Sequence, residues 1–328
     1  MSASASLDRT LALEAVRVTE AAAIASAGYT GRGDEKAADQ AAVDAMRAAL
    51  NGLDIQGRVV IGEGERDEAP MLYIGEEVGT GKGPKVDIAL DPLEGTTICA
   101  TGRPNALSVL AFSNPGGLLN APDVYMEKIA VGDGLPDGVI DLDEPPKGNL
   151  KNLARAKGCA LEDLAVLVLE RPRHEELIAK LRETGARVIL ISDGDIAGVI
   201  ATTRLSREVD IYMGIGGAPE GVLAAAALRS IGGQMMGRLV FRNDEEKERA
   251  HRLGIQDLDR KYGMTELAGG DVVFAATGVT SGWMLDGAKR RGDFLTTHSM
   301  VMRSSTGTLR TLRAERDLTR KRLGGAGP

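Results

Sequence analysis

The sequence is short of several things, and each shortage narrows what it can be. Only two cysteines, Cys99 and Cys159, occur in 328 residues. That is too few for a disulfide framework, and nothing resembles a zinc cluster, so a reducing cytoplasm is expected. Aromatic residues make up 3% of the chain, while glycine occurs 42 times. A core so poor in rings must come from alanine, valine, isoleucine and leucine, with many tight turns. That suits layered α/β architecture better than a jelly roll or propeller. No apolar run approaches the roughly 20 residues of a membrane helix, and the opening MSASASLDRT has no apolar signal-peptide core. A soluble protein with no membrane partner is expected. Positive charge is also in deficit. A formal net charge of −7 offers no broad field to nucleic acid, so an anionic ligand must be met by local groups.

What is present is an ordered run of strand and helix patterns. Residues 11 to 27 and 35 to 50 read as helices, the second with Asp34 as its N-cap. A short strand over Val59 to Ile61 breaks into an acidic, glycine-punctuated loop, and a second strand ends at Asp91, where Pro92 should stop it. Leu107 to Phe112 and Val124 to Val131 are further strands. The turn-rich stretch from about 135 to 150 reads as a connection between two lobes, residues 1–145 and 146–328. Beyond it, three successive strand-then-helix units imply parallel pairing, with ligand groups at the carboxyl ends of the strands. Those positions hold Arg171 and Arg173, then Asp193 and Asp195, then Gly216, Gly217 and Glu220. Near the carboxyl end, VVFAATG is a strand and SMVMRSSTGTLRTLR a hairpin.

Carboxylates carry the strongest chemical signal. Asp91 leaves a buried strand and Glu94 follows on a turn, an arrangement that presents oxygens to a hard cation such as magnesium or manganese. Gly95 and Thr96 open a turn or helix whose amides and hydroxyl can hold a phosphate beside the metal. The loop GEGERDE adds Glu63, Glu65, Asp67 and Glu68, a self-repelling cluster that cations would relieve. Asp39, Val43, Met46 and Leu50 recur at helical spacing, so Asp39 sits on an apolar stripe, where a carboxylate needs a partner. Asp39, Glu63, Asp91 and Glu94 therefore form the expected metal set, with Thr96 orienting an attacking water and Asp67 holding its hydroxyl. Taken singly, each motif also reads as a solvated turn or a surface pair.

Taken together, GRGDEKAAD, VVIGEGERDEAPMLYIGEEVG, DIALDPLEGTT, APDVYMEKIAVG, RPRH, DGD, GIGGAPEG and FAATGVTSG resemble the class II fructose-1,6-bisphosphatases of bacteria, from about residue 11 to about 312. These are relatives of the lithium-sensitive, metal-dependent phosphatases. The resemblance implies a layered α-β-α-β-α sandwich of the sugar-phosphatase type, its active site between two lobes. It implies magnesium or manganese at Asp39, Glu63, Asp91 and Glu94, and Thr96 with Asp67 as the water-activating pair. Substrate contacts are implied at Glu94, Gly95, Thr96, Tyr125, the run Arg171, Pro172 and Arg173, the run Asp193, Gly194 and Asp195, and at Gly217 and Glu220. The implied reaction removes the 1-phosphate of fructose 1,6-bisphosphate in gluconeogenesis or related sugar-phosphate metabolism. Some relatives hydrolyse sedoheptulose 1,7-bisphosphate, and no residue decides between the two. A homo-oligomer is also implied. One departure is Glu94, where the wider superfamily commonly has aspartate.

Three other readings compete. VILISDGDIAG resembles the nucleophile strand of haloacid-dehalogenase phosphatases, with Asp193 as nucleophile, but Ala197 stands where that pattern has Thr or Val and the amino-terminal acidic loops go unexplained. GIGGAPEG fails as a dinucleotide loop because Pro219 holds the last glycine position. A non-catalytic sugar-phosphate sensor would have lost a metal carboxylate, and all are kept.

Overall fold

The structure is a computed structural model that describes residues 7, 9–64, 71–206 and 208–320. The first half contains α1 (Leu11–Ala27), α2 (Glu35–Asn51), β1 (Gln56–Ile61), β2 (Glu77–Val78), β3 (Lys85–Glu94), α3 (Thr96–Thr101), β4 (Leu107–Ser113), β5 (Tyr125–Val131) and α4 (Pro146–Lys157). There follow β6 (Ala165–Leu169), α5 (Glu175–Arg182), β7 (Arg187–Ile191), α6 (Asp195–Ile200), β8 (Ile211–Gly217), α7 (Ala218–Ile231), β9 (Gln234–Val240), α8 (Asp244–Arg252), β10 (Lys261–Gly263), α9 (Met264–Leu267), β11 (Val272–Gly278), β12 (Lys289–Arg291), β13 (Phe294–Arg303) and β14 (Thr308–Asp317).

Two mixed sheets carry these strands. The larger runs β12-β13-β11-β4-β3-β1-β2, with β14 on the outer side of β13; the smaller runs β10-β9-β5-β8-β6-β7. Between them lies α7, whose Ala224, Ala225, Ala226 and Ala227 are buried together with Val222, Leu223 and Leu228. Small side chains let both sheets approach this helix, and one core cluster joins Ala89, Val109 and Phe274 of the larger sheet to Met126, Leu167 and Tyr212 of the smaller. Helices α1 and α2 cover the outer face of the larger sheet through Val18, Ala22, Val43 and Met46. Helix α4 covers the smaller sheet through Leu150 and Leu153. The result is the α-β-α-β-α layering expected of the family.

The helix over 11–27 and the Asp34 cap, which accepts from Ala37 N at 3.0 Å, match the sequence reading. So do the parallel pairs β6–β7 and β6–β8 and the β13–β14 hairpin. Four features differ. Pro92 does not stop β3: the strand continues to Glu94, with one extra residue between the Asp91–Val109 and Glu94–Leu107 pairs. That bulge accommodates a residue with no N–H to donate, because a bulged position makes no ladder bond. Residues 146–157, within and just beyond the turn-rich stretch, form a helix that starts on Pro146, where a missing N–H costs nothing. Finally, β8 pairs antiparallel with β5, so the parallel units sit in a mixed sheet. The strands also do not divide at residue 145: β5 belongs to the smaller sheet, and β11–β14 return to the larger.

Candidate active site

A pocket of about 270 Å³ opens between the sheets, lined among the described residues by six carboxylates: Asp39, Glu63, Asp91, Asp123, Asp193 and Glu220. Helix α2 supplies Asp39, the turn after β1 supplies Glu63, and the β3 bulge supplies Asp91. The approach to β5, the turn after β7 and the start of α7 bring in the other three. Among the described residues, no lysine, arginine or histidine lines the pocket. The charges meet one another instead.

Their protonation follows from this crowding. Burial, then the charges of Asp39, Glu220 and Asp123, push the Glu63 carboxyl from the usual 4.5 to about 8. Burial, then Asp195, lifts Glu220 to about 7, with Lys128 opposing. Asp91 stands well above the ordinary aspartate range through burial and then through Glu63, Glu94, Glu220 and Asp39. Burial raises Asp39 and Asp193 as well. Hard oxygen donors held this close, with no basic side chain among them, are a donor set that divalent cations would relieve. The buried Oε2 atoms of Glu94 and Glu220 have no hydrogen-bond partner, which agrees with this. Among the described residues, no three such side chains converge tightly enough to hold an ion as they stand. Asp67, Glu65 and Glu68 lie outside the described residues.

Glu94 sits behind the pocket wall rather than in it. Only 3% exposed, it accepts from Ile196 N at 2.8 Å through Oε1, and burial with Asp195 and Asp193 lifts its carboxyl well above the ordinary glutamate range. Leu93 N donates to Asp91 Oδ1 at 3.0 Å, so the bulge fixes the direction of that carboxylate. Gly95, at φ +84°, ends β3 and opens α3 at Thr96. Gly194, at φ +88°, makes the corresponding turn into α6, and a Cβ there would stand 3.7 Å from Glu94 Oε2. Both turns need the left-handed conformation that glycine adopts without strain.

The rim beyond Asp123 is basic. Tyr125 begins β5, and the Arg173 guanidinium lies over its ring, 4.6 Å from the centroid, while donating through Nε and an NH2 nitrogen to Ile215 O at 3.0 and 2.7 Å. Arg242 lies 5.0 Å from the same centroid. His174, buried, anchors the Arg171–Pro172–Arg173 turn: its Nδ1 meets Leu169 O at 2.6 Å and its Nε2 accepts from Ile215 N at 2.7 Å. Arg171 donates to its neighbour's carbonyl, Glu170 O, at 3.2 Å. Gly217 pairs with Tyr125 across β8 and β5.

The chain that carries these motifs matches the family described as bacterial fructose-1,6-bisphosphatase, glpX-encoded, over residues 9–316. The chain belongs to that class II fructose-1,6-bisphosphatase family. The family's members are metal-dependent phosphatases. The chain is 49% identical over 326 residues to fructose-1,6-bisphosphatase 1 class 2 of Escherichia coli (strain K12), covering 95% of this chain and 97% of that protein. It is 46% identical over 318 residues to the D-fructose 1,6-bisphosphatase class 2/sedoheptulose 1,7-bisphosphatase of Prochlorococcus marinus (strain NATL1A), covering 93% and 95% respectively. Among the described residues, no helix of this phosphatase is long and apolar enough to cross a membrane.

Of the residues that the sequence singled out, the structure brings Asp39, Glu63, Asp91, Gly95, Thr96, Asp193 and Glu220 to one pocket, leaves Glu94 behind its wall, and gives Asp195 a different partner. Asp195, implied above as a substrate contact, accepts through Oδ2 from the buried Lys128, which also donates to Gly217 O at 2.9 Å. Tyr212 OH donates to Asp195 Oδ2 at 3.5 Å. This knot ties the start of α6 to the start of α7, the two turns that present Asp193 and Glu220. Sequence reasoning passed over Lys128, Asp123 and Arg242. Lys128 carried a signal, since it falls on the same strand face as Met126 and Ala130, all buried.

Proposed function

We propose that this chain hydrolyses the 1-phosphate of fructose 1,6-bisphosphate, giving fructose 6-phosphate and inorganic phosphate. The observation that carries the reading is the division of charge: the charged side chains of one pocket are, among the described residues, all carboxylates, while Arg173 stands over Tyr125, two residues from Asp123 of that pocket. A molecule with two phosphates fits such a site, with the phosphate that leaves at the carboxylates and the one that stays at the arginines. The names of both relatives agree with it.

Asp39, Glu63, Asp91 and Glu94, joined by Glu220, would hold magnesium or manganese, which polarises the phosphate and lowers the pKa of an attacking water. Thr96 orients that water with Asp67 as acceptor, and Gly95 and the Glu94 backbone border the scissile phosphate. Asp193 accepts from sugar hydroxyls, while Gly194, Asp195, Pro172 and Gly217 shape the turns that place it. In this assignment the larger sheet carries most of the metal side and the smaller sheet the substrate side. We assign the enzyme to the cytoplasm, to gluconeogenesis or related sugar-phosphate metabolism, and to a homo-oligomeric state.

The likeness to the Prochlorococcus enzyme favours a second activity on sedoheptulose 1,7-bisphosphate. Phosphate release from both bisphosphates, with magnesium or manganese against chelator and against Asp91→Ala, tests the assignment. Release that survives Asp91→Ala and vanishes in Asp193→Asn would replace it with a covalent-aspartate mechanism. No turnover of either sugar with either metal would leave a sensor.

A further inference from the structure

Arg242 belongs to none of the sequence motifs, yet its position is tightly specified. Its backbone N donates to Glu246 Oε2 at 2.7 Å and its Nε to Glu246 Oε1 at 2.6 Å, and an NH2 nitrogen lies 2.5 Å from that same oxygen. Glu246 is fully buried, and Asn243 accepts from its N at 2.9 Å to cap α8. A surface arginine paired with an exposed glutamate four residues on would be free to swing. One gripped at both ends by a buried carboxylate is not. The direction so fixed carries the guanidinium to 5.0 Å from the centroid of the Tyr125 ring, over which the Arg173 guanidinium also lies.

The donors that remain are what matter. A guanidinium has five N–H groups; Arg173 uses two on Ile215 O and Arg242 uses two on Glu246, which leaves several on each directed elsewhere. Both side chains are open to solvent, as an entering ligand requires. Asp123 lines the carboxylate pocket, and Tyr125 follows two residues later, roughly 7 Å along an extended chain. That is a span a sugar bisphosphate can bridge.

We propose that Arg242 is a specificity-determining residue which, with Arg173, grips the phosphate that stays on the sugar and so selects bisphosphates over monophosphates. This rests on the reading of the cleft given above. Glu246 is the positioning residue that aims Arg242.

The test compares wild type, Arg242→Met and Arg242→Lys on fructose 1,6-bisphosphate and on fructose 1-phosphate, which lacks the retained phosphate. Arg242→Met should raise KM for the bisphosphate about ten- to hundredfold, the scale of one lost charge-assisted contact. It should leave kcat for the bisphosphate and KM for the monophosphate nearly unchanged, and Arg242→Lys should recover part of the loss. Equal rises in KM for both esters, or no rise for either, would overturn the assignment. Should the wild type turn over neither ester, the reading of the cleft falls. Binding of fructose 6-phosphate then decides the role of Arg242: affinity reduced tenfold or more in Arg242→Met supports it, and unchanged affinity refutes it.

Discussion

Stripping divalent cations should make the stability of this protein fall as pH rises. Glu63 is the clearest source, because burial and the neighbouring Asp39, Glu220 and Asp123 lift its carboxyl from 4.5 to about 8. A carboxyl with a raised folded-state value binds its proton more tightly folded than unfolded. The Glu63 contribution in the metal-free protein is therefore fully present below about pH 4.5 and is lost progressively up to about pH 8. At about 1.4 kcal/mol per pH unit, that interval sets an upper limit of about 5 kcal/mol, and solvent in the open pocket reduces it to a few. For a chain of this size, such a loss lowers Tm by roughly 5 °C. Bound cations replace the proton as the partner of the carboxylates, so the loaded protein should show a much flatter profile. Thermal unfolding between pH 5.5 and 8.5, in chelator and in saturating magnesium or manganese, checks this directly. A flat curve in chelator, or the same decline with and without metal, would refute the argument that these carboxylates are a cation site.

Asp91→Asn should reduce phosphate release by more than about a hundredfold, since even groups one shell out from a metal cost ten- to hundredfold; it should also shrink the rise in Tm on adding magnesium. Retention of both effects would remove Asp91 from the metal set. Lys128→Met leaves the buried Asp195 carboxylate without its partner and should cost about 3–5 kcal/mol in chemical denaturation. Adding Asp195→Asn should restore much of that, and a single variant as stable as wild type would refute the pairing. His174→Leu removes the partners of Leu169 O and Ile215 N, which should cost about 2–4 kcal/mol. Because Arg173 then loses its anchor, KM for the bisphosphate should rise more than kcat falls; a change confined to kcat would argue against that coupling.

How far the site could be read in the sequence depended on the range of the interaction. Asp39 was legible because helical periodicity is local: Val43, Met46 and Leu50, all buried, mark the stripe it shares. The carboxylates of the β3 turn were legible as a donor pair, but their separation was not. Pro92 looked like a stop, and only the pairing with β4 turns it into a bulge that leaves Asp91 in the pocket and Glu94 behind it. Asp195 shows the same limit. Its place after a parallel strand predicted a ligand contact, but the group that meets it, Lys128, comes from β5, 67 residues away. The return of β11–β14 to the larger sheet was illegible too, because strand patterns give no sheet order.

Arg242 carries this reasoning to its limit. Nothing near it in sequence is a ligand motif, and FRNDEEKE reads as an ordinary capped helix start, which α8 also is. Its proximity to Tyr125 comes from β9 lying beside β5, with Val240 opposite Tyr125. Two residues past that pair, the chain delivers a guanidinium to a ring that Arg173 approaches from the β6–α5 turn. A cleft between two sheets gathers its polar groups from turns at strand ends, so partners are chosen by strand order. Where strand order is set by non-local pairing, as with β5 between β8 and β9, residues that no motif marks become neighbours of those that a motif does.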